Sequence, residues 1–576
     1  MSDSQVLIVG SGPSGLALAL AMIRNGVKAR VIEKDAEHHI GERGPGVMPR
    51  TLEIEHFLGI KDKVVAAGVS WPRRHFYDPS NPKQASRTIE MLEKVDPTPA
   101  FPITKGVMLG QYRHQAIFRS EIEKLGGSIE LGTSLINFTQ DDEGVAAEIT
   151  KCVDGVERKE VSRFKYIIGA DGGRSTVRKI LGVDFVGTTE DSARVYIVDA
   201  AIQGFDEAPK VTGDFFEFKS GTEVVALRGT GIPNKFQILF VVSEAKLLEL
   251  AGNRSVEAIQ AEITRITGRV DIIITNITWQ GSWRPNLRIA SNFKKGNVFL
   301  IGDAAHTHSP TGGQGLNSSI QDSFNLGWKL SLAQKGYASE ILLDSYEVER
   351  IPVISEMLQI TTDIYKKQIQ DVKHLEQMDI LKASPEADPH FRSRKLFQLT
   401  VNYRWSPIVY DERFKDTGNR VAINAYGSDD QEVRAGDRAP DAPELIQLTS
   451  STTEHSVSCL FDLFLPQKHT ILLFSPSLSE EKIPALLVPL QKLEKNLFQV
   501  AIILNSESII DDSISLHHTV FKDAGGHAFS GYGIKDIREE PLAVVVRPDA
   551  MIGAFIRSAS GLEEYLSNVF HFTELK

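Results

Sequence analysis

Val6-Leu7-Ile8-Val9-Gly10-Ser11-Gly12-Pro13-Ser14-Gly15 is an apolar strand, a glycine turn and the opening of an apolar helix that runs through Ile23. The next apolar run, Ala29-Arg30-Val31-Ile32-Glu33, is again strand-like and ends on an acid. Strand, helix and strand in that order predict a parallel sheet with a helical crossover. Each glycine has a physical task. Gly10 permits the tight turn, Gly12 lets a pyrophosphate approach the backbone, and Gly15 lets the helix pack closely on the strand. Ser14 lies in the first helical turn, whose N–H groups face negative charge. Glu33, followed by Lys34, is placed to accept hydrogen bonds from ribose hydroxyls. A glycine turn alone is a weak signal. With strand, helix and acid in register it predicts a dinucleotide site.

Two more strand ends carry chemistry. Tyr166-Ile167-Ile168-Gly169-Ala170-Asp171-Gly172-Gly173 runs into a basic helix start, Arg174–Arg178. An ordinary turn with a capping Asp171 would have the same pattern. Val298-Phe299-Leu300-Ile301-Gly302-Asp303-Ala304-Ala305-His306 leads to Pro310-Thr311-Gly312-Gly313-Gln314-Gly315-Leu316-Asn317 and a helix to about Lys335. Asp303 can accept from a polyol, Gly313 and Gly315 let the backbone touch a flat ring, and the helix start supplies a positive pole. That combination suits an electron-rich ring that becomes anionic.

Elsewhere the pattern divides the chain. From Val195 to Val242 four β-type runs follow one another with no helix between them, which predicts an inserted antiparallel sheet. Asp78–Pro102, rich in Pro, Asn and Asp, reads as a loop. The expected organisation is a discontinuous dinucleotide-binding domain at 1–75, 103–187 and 296–360. A substrate domain at 76–102 and 188–295 and a helical, irregular connection at 361–433 accompany it, with a separate α/β module at 434–576. At ~150 residues per unit, 576 residues suggest about three or four units. Apolar residues at 41% and charged residues at 24% are a soluble globular balance. The net charge of −11 argues against nucleic acid or an anionic membrane as partner. No apolar run is long enough for a membrane span and no basic stretch precedes the first strand, so neither a span nor a signal peptide is expected. Two cysteines, Cys152 and Cys459, exclude a disulfide scaffold and a four-cysteine metal or iron–sulfur site, so no metal is expected. A reducing, cytoplasmic location follows as the default.

In this order the three motifs resemble those of the single-component (class A) FAD-dependent aromatic hydroxylases, the superfamily of 4-hydroxybenzoate hydroxylase and phenol hydroxylase. Further segments agree: Arg50-Thr51-Leu52-Glu53 after a loop containing Arg43, Gln111 before a helix, and Ser345-Tyr346-Glu347-Val348-Glu349-Arg350-Ile351-Pro352. The resemblance spans about Val6–Pro352. Ala435-Gly436-Asp437-Arg438-Ala439-Pro440 and Val546-Arg547-Pro548-Asp549 resemble the thioredoxin-like C-terminal domain of the phenol hydroxylase subgroup. Without a CxxC that module cannot exchange dithiols, and a structural or homodimer-forming role is expected.

The resemblance implies an α/β Rossmann-type FAD-binding domain with an inserted antiparallel substrate sheet. It also implies FAD as cofactor, NADH or NADPH as co-substrate, O₂, and hydroxylation of a small aromatic through a flavin C4a-hydroperoxide. Gly10, Gly12, Ser14, Gly15, Glu33, Lys34, Arg43, Gln111, Asp171, Asp303, Gly313 and Gly315 would hold FAD. Pro310, Leu316 and Asn317 would border its reacting edge, the last two as N–H donors to the reduced ring. The aspartate base of phenol hydroxylase falls on Pro45 and its substrate tyrosine near Gln237, two departures that argue against phenol itself. Arg228, charged within an apolar strand, needs a partner: a substrate carboxylate or a structural ion pair would each serve. His75 and Tyr77 belong either to a polar pocket wall or to a surface loop. His306 and His308 read as supporting or helix-entry residues rather than bases. Phenols of polyketide type and hydroxybenzoates, the latter with or without loss of CO₂, are both open substrates.

A flavin-dependent halogenase or reductase shares two motifs, but Trp279-Gln280-Gly281-Ser282-Trp283 lacks the halogenase WxWxIP spacing. Gly229-Thr230-Gly231-Ile232-Pro233-Asn234 lacks a third glycine, which argues against a two-dinucleotide reductase. A catalytically silent flavin-binding scaffold is the reading from a different class; NAD(P)H oxidation stimulated by an aromatic compound separates it from an enzyme.

Overall fold

The computed structural model describes residues 5–153, 155–189, 195–205, 212–284, 286–308, 312–374, 391–417, 423–427, 432–449, 457–476, 482–506, 518–535 and 541–572. The opening strand Val6–Val9 is buried and lies between two parallel neighbours, Arg30–Ile32 and Tyr166–Gly169. Val298–Leu300 continues the sheet in parallel beyond Tyr166–Gly169, and Ile129–Glu130 closes the other side. All three motif turns therefore leave the same edge of one sheet, where open α/β sheets hold their ligands.

Two helices pack over that sheet. Pro13–Arg24 buries Leu16, Leu18, Leu20 and Met22, and crosses the almost wholly buried helix Gly315–Gln334. A Cβ at Gly327 would lie 2.9 Å from that of Ala21, so the absent side chain sets how closely the helices cross.

The substrate sheet has seven strands in the order Ile273–Trp283, Val195–Gln203, Lys235–Val241, Glu223–Gly229, Phe215–Ser220, Arg73–Asp78 and Asn81–Glu90. Its pairings are antiparallel except Phe215–Ser220 with Arg73–Asp78. Asn81–Glu90 corrects the loop expected over Asp78–Pro102. It is a polar edge strand whose residues are mostly exposed, so it has no apolar alternation to betray it. One face of the sheet is apolar: Tyr196, Val198, Phe216, Leu227, Ile238 and Phe240 pack against the helices Glu244–Asn253 and Val256–Thr267. Alternation along a strand puts Asp199, Arg228 and Gln237 on the opposite face.

The helix Ser345–His374 continues past residue 360, and Tyr410–Asp411 joins the C-terminal sheet. That sheet runs Tyr410–Asp411, Ile552–Ile556, Leu542–Val546, His469–Ser475, Phe498–Leu504, Thr519–Asp523 and Leu445–Thr449. Buried charge ties it to the rest. Glu53 takes Arg50 at 2.8 Å and Arg438 at 2.5 Å, while Glu349 takes Arg547 and Lys329, each at 2.7 Å. Cys152 and Cys459 are both free thiols. No helix among the described residues is long and apolar enough to cross a membrane.

Candidate active site

At the glycine turn, geometry separates the three glycines. A Cβ at Gly10, whose φ is +106°, would lie 2.4 Å from the Ala170 carbonyl oxygen, and one at Gly15 would lie 2.1 Å from that of Gly10. A Cβ at Gly12 would meet nothing within 4 Å. The helix that follows has neither a side-chain cap nor an acid in its first turn. Its first internal bond runs from the Leu16 N–H to the Gly12 carbonyl, so the N–H groups before it lack helical partners. The result is an open groove with uncapped donors at a positive helix end. Glu33 closes one side of it, accepting from the Ser11 N–H at 2.9 Å and the Ser11 hydroxyl at 3.0 Å. Lys34 beside it is exposed.

The other motifs adjoin. Ser14 Oγ would be 2.7 Å from a Cβ on Gly302, so the first and third motifs touch. Arg178 donates to the Ala304 carbonyl at 2.7 Å, locking the second motif to the third. Asp171 accepts from the Ser175 hydroxyl at 2.5 Å, the Thr176 N–H at 2.6 Å and the Val177 N–H at 3.1 Å. Its carboxylate thus caps the helix Thr176–Leu181, and burial nonetheless raises its pKa. Exposed Arg43, held at a φ of 44°, faces Asp303 and Asp35, and crowding lowers its pKa against their pull.

The start of Gly315–Gln334 is a second uncapped pole. No side chain caps it and no acid lies in its first turn, so the N–H groups of Leu316 and Asn317 precede the first helical bond, from Ser318 to Gln314. The Asn317 side chain fixes this pole in place. It accepts from the Met48 N–H at 2.8 Å and the Thr51 hydroxyl at 2.7 Å, and donates to the carbonyls of Gly46 and Gly313 at 3.0 and 2.7 Å. The His308 ring lies against Gly315. His306 is bound at 2.7 Å by Asp322, which also holds Arg350 at 2.7 Å. Gly313 has a φ of +64°; Pro310 lies outside the described residues.

Facing these elements is a cross-strand row: Asp199 is paired with Gln237, and Gln237 with Arg228. Cross-strand partners project on the same face. Gln237 donates to the Arg43 carbonyl at 3.1 Å, and Arg228, 1% exposed, donates to Glu42 at 3.1 Å. The Glu42 N–H donates to Asp199 at 2.8 Å, and the Gln111 N–H to the Glu42 carbonyl at 3.0 Å. One loop therefore bears on both Gln111 and the sheet. Between them lies a recess of about 180 Å³ with Glu42, Tyr112, Asp199, Thr230 and Phe236 in its wall and exposed Ile40 at its mouth. Burial pushes the Asp199 carboxyl up to about 6, and also raises the Tyr112 phenol.

His75 and Tyr77 are not brought to this recess. The His75 ring stacks on Phe216 at 5.0 Å and bonds Asp214 at 3.1 Å, and Tyr77 stacks on Phe218 at 4.5 Å in the apolar face. Sequence reasoning missed Glu42, Asp199 and Tyr112. Asp199 carried the same signal as Arg228, a charge within an apolar strand. Glu42 among glycines carried none.

The uncapped poles, the groove that a Gly12 side chain would enter and the acid beside it fit FAD, and together with the fold they define a flavin-binding oxidoreductase. Residues 3–361 match the family model described as FAD binding domain, and the chain belongs to that family. A flavin-dependent monooxygenase of Mycobacteroides abscessus is 33% identical, covering 76% of this chain and 83% of that one. Pentachlorophenol 4-monooxygenase of Sphingobium chlorophenolicum is 30% identical over 77% and 76%. The flavin-dependent monooxygenase PieE, solved with FAD and substrate, shares the fold with a TM-score of 0.77 at 22% identity, covering 98% of each chain. The chain is a flavoprotein aromatic monooxygenase with FAD as its cofactor.

Proposed function

We propose that this enzyme uses NADH or NADPH and O₂ to hydroxylate a small phenolic or hydroxybenzoate-type ring in the recess between the Glu42–Arg43 loop and the substrate sheet. The observation that carries the proposal is the polar row Asp199–Gln237–Arg228, set against the loop that also contains Arg43. A cavity of roughly 150 Å³ accepts benzene, so about 180 Å³ admits one substituted ring. The likeness to a relative named for a chlorinated phenol supports the same substrate class.

In this reading Gly10, Gly12, Ser14 and Gly15 form the pyrophosphate groove and Glu33 accepts from ribose. Arg43, Gln111, Asp303 and the loop at Gly313 flank the ring system. The bound FAD supplies hydride acceptance and O₂ activation. The Leu316 and Asn317 N–H groups, fixed beforehand by the Asn317 side chain, stabilise negative charge there without reorganisation. Gln237 and Arg228 hold the sheet to the Arg43 loop and so exclude water from the contact. The C-terminal module, read as thioredoxin-like, serves structure: its Arg438 and Arg547 complete buried carboxylates of the flavin-binding part.

Purified protein tests this directly, with FAD content first and then NADH and NADPH oxidation across phenols and hydroxybenzoates, products read by mass. One aromatic that stimulates oxidation and gains one oxygen is the expected result. FAD bound without any oxygenated product would refute the proposal.

A further inference from the structure

Arg228, the cation that a substrate carboxylate would need, is already matched. Its Nη2 lies 3.1 Å from Glu42 Oε2 and its Nε 3.1 Å from Gln237 Oε1, and the side chain is buried. Arg113 approaches the same Glu42 carboxylate at 3.8 Å. Against these two cations stand two acids, Glu42 and Asp199, so the inner wall has no positive surplus; Lys235 stands at the exposed rim. A benzoate pushed inward past Lys235 would meet Asp199 and lose its hydration where the inner cations among the described residues, Arg228 and Arg113, are already engaged by Glu42.

Asp199 has the complementary vacancy. Its Oδ2 accepts the Glu42 N–H, while its Oδ1 is buried with no well-aligned hydrogen bond among the described residues, and the Gln237 amide of the neighbouring strand bears on the same carboxylate. The residue is 4% exposed and lies in the wall of the recess. A buried acceptor left short of donors is unfavourable, more so when charged, and an entering hydroxyl would relieve it.

We propose that the substrate enters as a neutral phenol and that Asp199 is the catalytic residue that accepts its hydroxyl proton at Oδ1; this rests on the hydroxylase reading above. The phenol O–H bond breaks, its electron pair stays on oxygen, and the proton bonds to Asp199. The products are a neutral carboxyl group and an electron-rich phenolate ring, the form that attacks an electrophilic oxygen. The groups facing Asp199 are Glu42 from the loop, Arg228 and Gln237 from the neighbouring strands, and Tyr112 from the helix start. Thr278 on the edge strand bonds its backbone carbonyl. With a carboxyl pushed up to about 6 by burial, the base is ionised at neutral pH and is lost as pH falls through that value. In phenol hydroxylase the base position aligns with Pro45, which here lies in a loop, so the function would have moved to a strand of the substrate sheet.

The test uses FAD-loaded wild type, Asp199→Asn and Asp199→Glu, each checked for FAD content. Asp199→Asn is expected to lower kcat/KM for neutral phenols by about 10²–10⁴. It should abolish the acid limb of the pH profile and retain activity on fluorinated phenols that are already ionised, with Asp199→Glu partly restoring the neutral ones. In binding difference spectra, a nitrophenol should shift toward its phenolate on wild type and not on Asp199→Asn. Wild-type hydroxylation with an Asp199→Asn profile and spectrum unchanged would overturn the assignment and leave the hydroxylase reading standing. Preference for benzoates over their neutral phenol counterparts would overturn the substrate class. FAD-loaded wild type that oxygenates no phenol would bring down both.

Discussion

Gly10 and Gly12, neighbours in one turn, make opposite demands. Gly12→Ala places a methyl in open space at a φ of −68° that any residue adopts, so melting temperature should hold while FAD affinity falls at least tenfold. Gly10→Ala drives a Cβ into the Ala170 carbonyl at a positive φ and should yield little folded protein. Titrating FAD into purified apoprotein, beside thermal melts, reads both. Asp199 makes a prediction of opposite sign. Its carboxyl is raised from 3.8 to about 6, so the folded state favours the protonated form. The associated stability is full below the ordinary value and is lost as pH rises through about 6. At pH 7.5 Asp199→Asn should therefore be more stable than wild type, by up to about 3 kcal/mol, even as activity falls, with the gap closing in acid; melts against pH check this. Glycines and Glu33 could be proposed as cofactor contacts residue by residue, because position after a strand is what suggests each role. Asp171 was legible only as one of two roles, ligand contact or cap, and its hydrogen bonds are those of a cap.

Among elements, the helix Gly315–Gln334 is set by what holds its first turn. Asn317→Ala removes four side-chain hydrogen bonds to Met48, Thr51, Gly46 and Gly313. With buried partners left unmatched, a loss of roughly 3 kcal/mol or more is expected, along with weaker FAD retention, measurable by denaturant unfolding and by dialysis. Strands were readable wherever one face is buried, as in Val195–Gln203, whose inward residues are apolar. Asn81–Glu90 was not, because an edge strand in water needs no apolar alternation and its pairing partner lies in the chain before it. The recess escaped sequence reading for a related reason. Asp199, Gln237 and Arg228 come from three strands that only register sets in a row, and Glu42 reaches that row from a loop through hydrogen bonds.

Across the whole molecule, the most telling contacts join motifs far apart in sequence. Arg50 and Glu53 meet Arg438 and the Asp549 carbonyl, and Glu349 meets Arg547. Segments that resembled one family by pattern are thus, in part, the two sides of one buried charged interface. Removing one partner strands the other, so Arg547→Ala should destabilise by about 3–5 kcal/mol and lower the yield of FAD-containing protein, read by unfolding and by absorbance after gel filtration. The parallel sheet and its cofactor were legible at this scale from three turns in order; the interface was not, since charged residues in sequence read as surface. The central claim is that this molecule inserts one atom of O₂ into a phenolic ring. The most direct measurement is turnover of a stimulating phenol under ¹⁸O₂ with NADH or NADPH, followed by mass analysis of the product. One ¹⁸O atom per product molecule is the expected result. A product without label, or reductant consumed with hydrogen peroxide alone for every phenol tried, would contradict it.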